Sequence, residues 1–154
     1  MPRPARGRFH RPGPRRKVVL VVEDNASFGG LIAGLLREEG YRAVRASDGR
    51  EALRLARDRR PDLIMLDLEL PYKEGVEVLD ELRQHKETKL SPMILVAGNT
   101  MVLSSDDREQ LSDLINKPYD IDILMNSVRK ALGDPLQAVT EKHYDVTDAH
   151  LNSW

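Results

Sequence analysis

Two kinds of apolar pattern alternate along the chain. Lys17 to Val22 (KVVLVV) is a continuous run rich in β-branched residues, the signature of a strand covered on both faces. Phe28, Leu31, Ile32, Leu35 and Leu36 then recur at helical spacing, and Gly40 marks the stop. Tyr41 to Ala46 reads as a short second strand. Residues 49–59 read as a helix with Ala52, Leu55 and Ala56 on one side, broken by Pro61. Asp62 to Leu66 is a third apolar run. Residues 74–85 carry Val76, Leu79 and Leu82 on one helical face. Met93 to Ala97 forms a fourth run just after Pro92. Residues 104–112 are polar and suit a weak helix, Leu114 and Ile115 a short fifth strand. Ile121, Leu124, Met125, Val128, Ala131 and Leu132 make a clear helical stripe ended by Gly133.

Five short strands separated by helices pair in parallel through right-handed crossovers, which puts helices on both faces of one sheet. The predicted class is therefore a doubly wound α/β domain over residues 17–133. A basic arm, 1–16, is expected before it and a tail, 134–154, after it. In this architecture ligands sit at the carboxyl ends of the strands. The tail shows no core-like period, although Leu136, Tyr144, Leu151 and Trp154 offer it apolar handholds.

Charge sharpens the division. The chain has 154 residues, room for one domain with tails, and a net charge of -1. Residues 1–17 hold seven of its 24 basic residues and no acid, so the remainder carries 17 bases against 25 acids, a net of -8. The arm includes Pro2, Pro4, Pro12 and Pro14 and a single aromatic, Phe9, so it suits neither a regular helix nor base stacking. It reads as a solvated, disordered leader, with contact to nucleic acid or anionic lipid the minor alternative. The acidic body would repel DNA. No cysteine is present, which removes disulfides, thiolate metal sites and cysteine nucleophiles. No apolar run nears the roughly 18 residues of a membrane span, and none follows the basic start as in a signal peptide. A cytoplasmic setting is the expectation.

The candidate chemistry lies at the strand ends. The first strand runs into Glu23 and Asp24, the third into Asp67, the fifth into Lys117 and Pro118. Singly, each residue has an ordinary explanation. Asp24 or Asn25 suits a helix cap, Asp67 a turn before Pro71, and Lys117 a solvated surface. Capping does not explain why all four meet at one sheet edge. Three crowded carboxylates cannot all stay ionised cheaply, and a hard divalent cation relieves them. Magnesium takes oxygen ligands, keeps several waters and can accept phosphoryl oxygens. A carboxylate beside such a metal and a lysine can attack phosphorus.

VVLVVEDN (18–25), GYRAVRASDGREAL (40–53), PDLIMLDLELP (61–71) with Gly75 beyond it, and NKP (116–118) together resemble the receiver domain of bacterial two-component response regulators. The resemblance covers residues 17 to about 132 and implies a flavodoxin-like strand order 2-1-3-4-5. It implies that Asp67 is the phosphoacceptor for a sensor histidine kinase or phosphotransfer protein. Glu23 and Asp24 would bind Mg2+ with Asp67 and the backbone carbonyl of Glu69. Lys117 would pair with Asp67 and then with the phosphoryl group. Pro118 would follow it through a cis peptide, and Pro71 and Gly75 would shape the loop after the phosphoacceptor. Two positions depart from the family: Ala97 stands where a Thr or Ser hydroxyl is usual, and Leu114 where an aromatic is usual. Thr100 and Ser104 are the nearby hydroxyls. No stretch after 133 is long enough for an output domain. The implied function is thus a single-domain response regulator, a signalling domain and not an enzyme. It would act on an unknown downstream protein, by contact or phosphorelay, with homodimer formation open. The alternatives are a receiver-like binding module that switches without phosphate, and a magnesium-dependent phosphatase or phosphotransferase with Glu69 in the acid/base position.

Overall fold

The computed structural model describes residues 13–70 and 75–136. The chain runs β1 (Val18–Val22), α1 (Ala26–Glu38), β2 (Arg42–Ala46), α2 (Gly49–Arg59), β3 (Leu63–Asp67), α3 (Gly75–Gln84), β4 (Met93–Ala97), α4 (Ser105–Glu109), β5 (Asp113–Asn116) and α5 (Ile121–Leu132). The five strands form one parallel sheet in the order β2-β1-β3-β4-β5, as expected.

The continuous apolar runs bury both faces, and strand alternation deals their side chains to two cores. Leu20, Val22, Ile64, Leu66 and Leu95 meet α2 and α3 through Ala52, Leu55, Ala56, Val78, Leu79 and Leu82. Val19, Val21, Leu63, Met65, Ile94 and Val96 meet α1 and α5 through Ile32, Leu36, Leu124, Met125 and Val128. Burying one such aliphatic side chain is worth about 1.5–3 kcal/mol, so these two layers dominate the stability.

Local rules set the boundaries. Asn25, Asp48, Ser104 and Asp120 cap the helices that follow them, and Gly133 ends α5 with φ 73°. Most expected elements shift by a residue or two at their ends, and the largest change is in α4. The third strand starts one residue later and ends on Asp67, because Asp62 turns back to the start of β1. Its carboxylate accepts the Val18 N–H at 2.7 Å and an Arg15 guanidinium hydrogen at 2.8 Å. The weak helix at 104–112 shrinks to five residues with no buried side chain, since its polar sequence offers the core nothing. The third helix spans Gly75–Gln84. Most of the arm and tail, residues 1–12 and 137–154, lies outside the described residues, as does Pro71. Asp134, the first residue of the expected tail, accepts hydrogen bonds from Lys17 Nζ at 3.0 Å and the Tyr41 hydroxyl at 2.7 Å. These contacts hold its carboxyl below the usual carboxylate range, the Tyr41 bond acting most strongly. Among the described residues no helix is long and apolar enough to cross a membrane.

Candidate functional site

Sheet register assembles the site. Val22 pairs with Leu66, so the next residues, Glu23 and Asp67, become neighbours. Asp67 pairs with Val96 and Ala97 with Asn116, which brings Lys117 to the same edge. The Glu23 N–H extends the ladder to Ala46 O at 3.0 Å, and the Lys117 N–H does so to Ala97 O at 2.9 Å. The Lys117–Pro118 peptide is cis, as expected.

One oxygen from each of Glu23, Asp24 and Asp67 falls within 4.8 Å of the others. Glu23 and Asp67 are buried, Asp24 exposed. Asn25, not Asp24, caps α1 by accepting the Phe28 N–H, and the Asn25 N–H donates to Glu23 at 3.1 Å. Asp24 is thus left facing the cluster without capping duty. Lys117 Nζ reaches both oxygens of Asp67 at 2.9 Å, and Asp67 also accepts the Glu69 N–H at 2.9 Å.

The electrostatics follow from this crowding. Burial, then the hydrogen bond to Asp67, raises the Glu23 carboxyl to about 7. Burial also raises Asp67, against the pull of Lys117 and its other hydrogen bonds. Burial opposes the charge on Lys117, but Asp67 and Glu69 outweigh it and raise the ammonium above its ordinary value. Both carboxyls therefore ionise less readily here than they would in open water. Three oxygen donors, one reachable by solvent, fit a hard divalent ion that relieves this crowding and keeps part of its water shell.

Glu69 was expected to matter through its carbonyl, yet the structure gives its side chain contacts of its own. Oε2 accepts from Lys117 Nζ at 2.9 Å and Oε1 from the Gly98 N–H at 2.6 Å. Burial would raise this carboxyl, but Lys117, the Gly98 N–H and Asp67 hold it at about 2. The sequence did carry a signal. Residues two apart in extended chain share a side, so Glu69 leaves β3 on the side of Asp67. Tyr119, which packs on Phe28 with ring centroids 5.9 Å apart, was also missed; burial and then Glu23 push its hydroxyl up to about 12.

The remaining expected positions surround the site. Gly75 lies against the loop after β3, where a Cβ would sit 2.4 Å from Leu68 Cα, so only glycine lets α3 start there. Ala97 is fully buried. Leu114 is half-buried against the α2–α3 core. The Ser104 hydroxyl accepts the Asp107 N–H as the cap of α4, and the Thr100 carbonyl accepts from Arg108.

Comparison with known proteins agrees with this geometry. Residues 19–129 match the response regulator receiver domain family. The polar-differentiation response regulator DivK of Brucella anthropi is 35% identical over 123 residues, covering 77% of this chain and 98% of that protein. A receiver domain of a sensor histidine kinase from Pseudomonas aeruginosa, solved with magnesium coordinated in its active-site cleft, superposes with a TM-score of 0.66 at 29% identity. The match covers 78% of this chain and all of that one. The response regulator TrrA of Thermotoga maritima, in complex with Mg2+-BeF, gives a TM-score of 0.65 at 32% identity over 75% of this chain and 98% of that one. With its sheet order, strand-end carboxylates and lysine all accounted for, this chain belongs to the response regulator receiver domain family.

Proposed function

We propose that Asp67 accepts a phosphoryl group from the phosphohistidine of a sensor histidine kinase or phosphotransfer protein, in a Mg2+-dependent reaction, and that the chain then signals by protein contact or phosphorelay. The observation that carries this is the bidentate hold of Lys117 on buried Asp67, with Glu23 and Asp24 gathered beside it. An Asp67 oxygen attacks phosphorus, the P–N bond breaks with its electron pair going to the imidazole, and an acyl phosphate forms. Glu23, Asp24, Asp67 and the Glu69 carbonyl are the groups that would hold Mg2+. When bound, the ion neutralises charge on the transferring phosphoryl oxygens. Lys117 keeps Asp67 oriented and offers its positive charge to the product. Buried Ala97 supplies no hydroxyl to the phosphoryl group, which favours a phosphate-independent binding module as the second reading.

Acetyl phosphate with Mg2+ separates the two. One added phosphoryl group in the wild type and none in Asp67→Asn, read by mass spectrometry, supports the phosphoacceptor. Asp24→Asn is expected to weaken Mg2+ binding by about tenfold or more and to slow labelling in parallel. Chelating the metal should stop labelling altogether. Labelling of Asp67→Asn identifies another acceptor, and an unlabelled wild type leaves the binding module as the function.

A further inference from the structure

The side chain of Glu69 is a tethered anion, and what it touches has a second claimant. A lysine ammonium has three protons. Lys117 directs them at Asp67 Oδ1, Asp67 Oδ2 and Glu69 Oε2, each at 2.9 Å, so its donors are fully engaged. The Gly98 N–H, which follows β4 on the neighbouring strand end, is taken by Glu69 Oε1 at 2.6 Å. The two oxygens of one carboxylate thus bring together a cation and a backbone donor that belong to different strand ends. Such paired donors hold any oxyanion of similar span. Glycine at 98 leaves room for this contact, since a Cβ there would approach Glu69 Oε1 to 3.2 Å. The Glu69 side chain is 48% exposed, so it can leave toward solvent without disturbing the core.

We propose that the Glu69 carboxylate occupies the oxyanion seat that a phosphoryl group on Asp67 would take, and that its displacement is the trigger that frees the segment after β4. The inference rests on the phosphoacceptor reading of Asp67. A phosphoryl group adds negative charge next to the Glu69 carboxylate and draws on the same Lys117, so the two anions compete for one cation. When Glu69 leaves, Gly98 loses the side-chain acceptor that ties it to the loop after β3. The segment beyond it is lightly held. Met101 is 89% exposed, Val102 55% exposed, and α4 buries no side chain. A hydroxyl at position 97 is then unnecessary for switching, because here the resting state is held by a contact that phosphorylation breaks. Glu69 acts as a positioning residue, through Lys117 and Gly98.

Beryllium fluoride with Mg2+, a stable phosphoryl analogue, tests this on the full chain by amide NMR. Wild type, Glu69→Gln, Glu69→Ala and Asp67→Asn are compared. In the wild type the analogue should shift Gly98 and residues 99–103. Glu69→Ala without the analogue should already displace the Gly98 amide, and it should bind the analogue several-fold more tightly. Glu69→Gln, which can still accept from Gly98 but not from Lys117, should fall between. Equal affinity in the wild type and Glu69→Ala overturns the competition. A Gly98 amide that is the same in both resting proteins overturns the tether. Binding by none of the proteins, or equal binding by Asp67→Asn, overturns the phosphoacceptor reading itself and the inference with it. A chain that binds the analogue only as Glu69→Ala supports the inference, with Glu69 as a full block.

Discussion

Helices α4 and α5 follow neighbouring strands, and they are held in opposite ways. The twelve residues of α5 send Leu124, Met125 and Val128 into the core it shares with α1. The five residues of α4 bury nothing. Buried Leu103 precedes α4 and half-buried Leu111 follows it, but the helix itself is fixed by polar contacts. Ser104 and Asp107 form a reciprocal capping box, and Arg83 of α3 donates to the Asp107 carboxylate and carbonyl at 3.0 Å each. Arg108 Nη2 reaches Thr100 O at 2.6 Å. Apolar contacts fix a position through many small terms that fail together. Polar contacts are few, directional and individually replaceable, so they suit a part that must move. The sheet edge thus has an anchored side and an adjustable side, and Gly98 lies at the start of the adjustable one.

The largest test of this contrast is Leu124→Ala. Emptying a fully buried leucine site costs about 2–5 kcal/mol, and it should lower the denaturant midpoint of the whole domain with α4 and α5 unfolding together. Ser104→Ala should cost about 1 kcal/mol through loss of the cap. Its effect should appear as faster amide exchange at 105–110, with α5 unchanged. Equal protection loss in both helices would show that α4 is coupled to the core after all.

The smallest effect is on pH. Glu69 is held at about 2, below its ordinary 4.5. Its contribution is complete above about 4.5 and fades as the pH falls toward 2. Glu23 runs the other way: raised to about 7, it makes the metal-free fold less stable as pH climbs from 4.5 to 7. The Gly98 amide should therefore titrate with a midpoint near 2, and α5 amides should not follow it. A Gly98 midpoint near 4.5 would place Glu69 in open solvent.

Much of this was legible in the chain because it depends on period and register. The β1 run and the α5 stripe name their elements, and the strand ends name Glu23, Asp24, Asp67 and Lys117. What escaped depends on side-chain direction. Asp62 reads as part of an apolar run, yet its carboxylate turns back to the Val18 N–H. Glu69 is found by its spacing from Asp67, but nothing in the spacing tells whether its carboxylate reaches Gly98. The polar stretch 104–112 yields only the five-residue α4, because a stretch that can be helical need not be once no apolar face ties it down.

The ties at the far end of the sheet bear on how the domain can be handled. Lys17 Nζ donates to the Leu132 carbonyl at 2.6 Å and to Asp134 at 3.0 Å, so the start of β1 and the end of α5 lie side by side. In a parallel sheet that end is opposite the carboxylate edge. A fluorescent reporter joined near residue 15 or 135 therefore attaches away from Asp67 and leaves the carboxylate edge clear. The same adjacency lets a short linker join residues near 15 and 135, so that a domain trimmed to these positions and opened between α3 and β4 keeps the carboxylate edge intact.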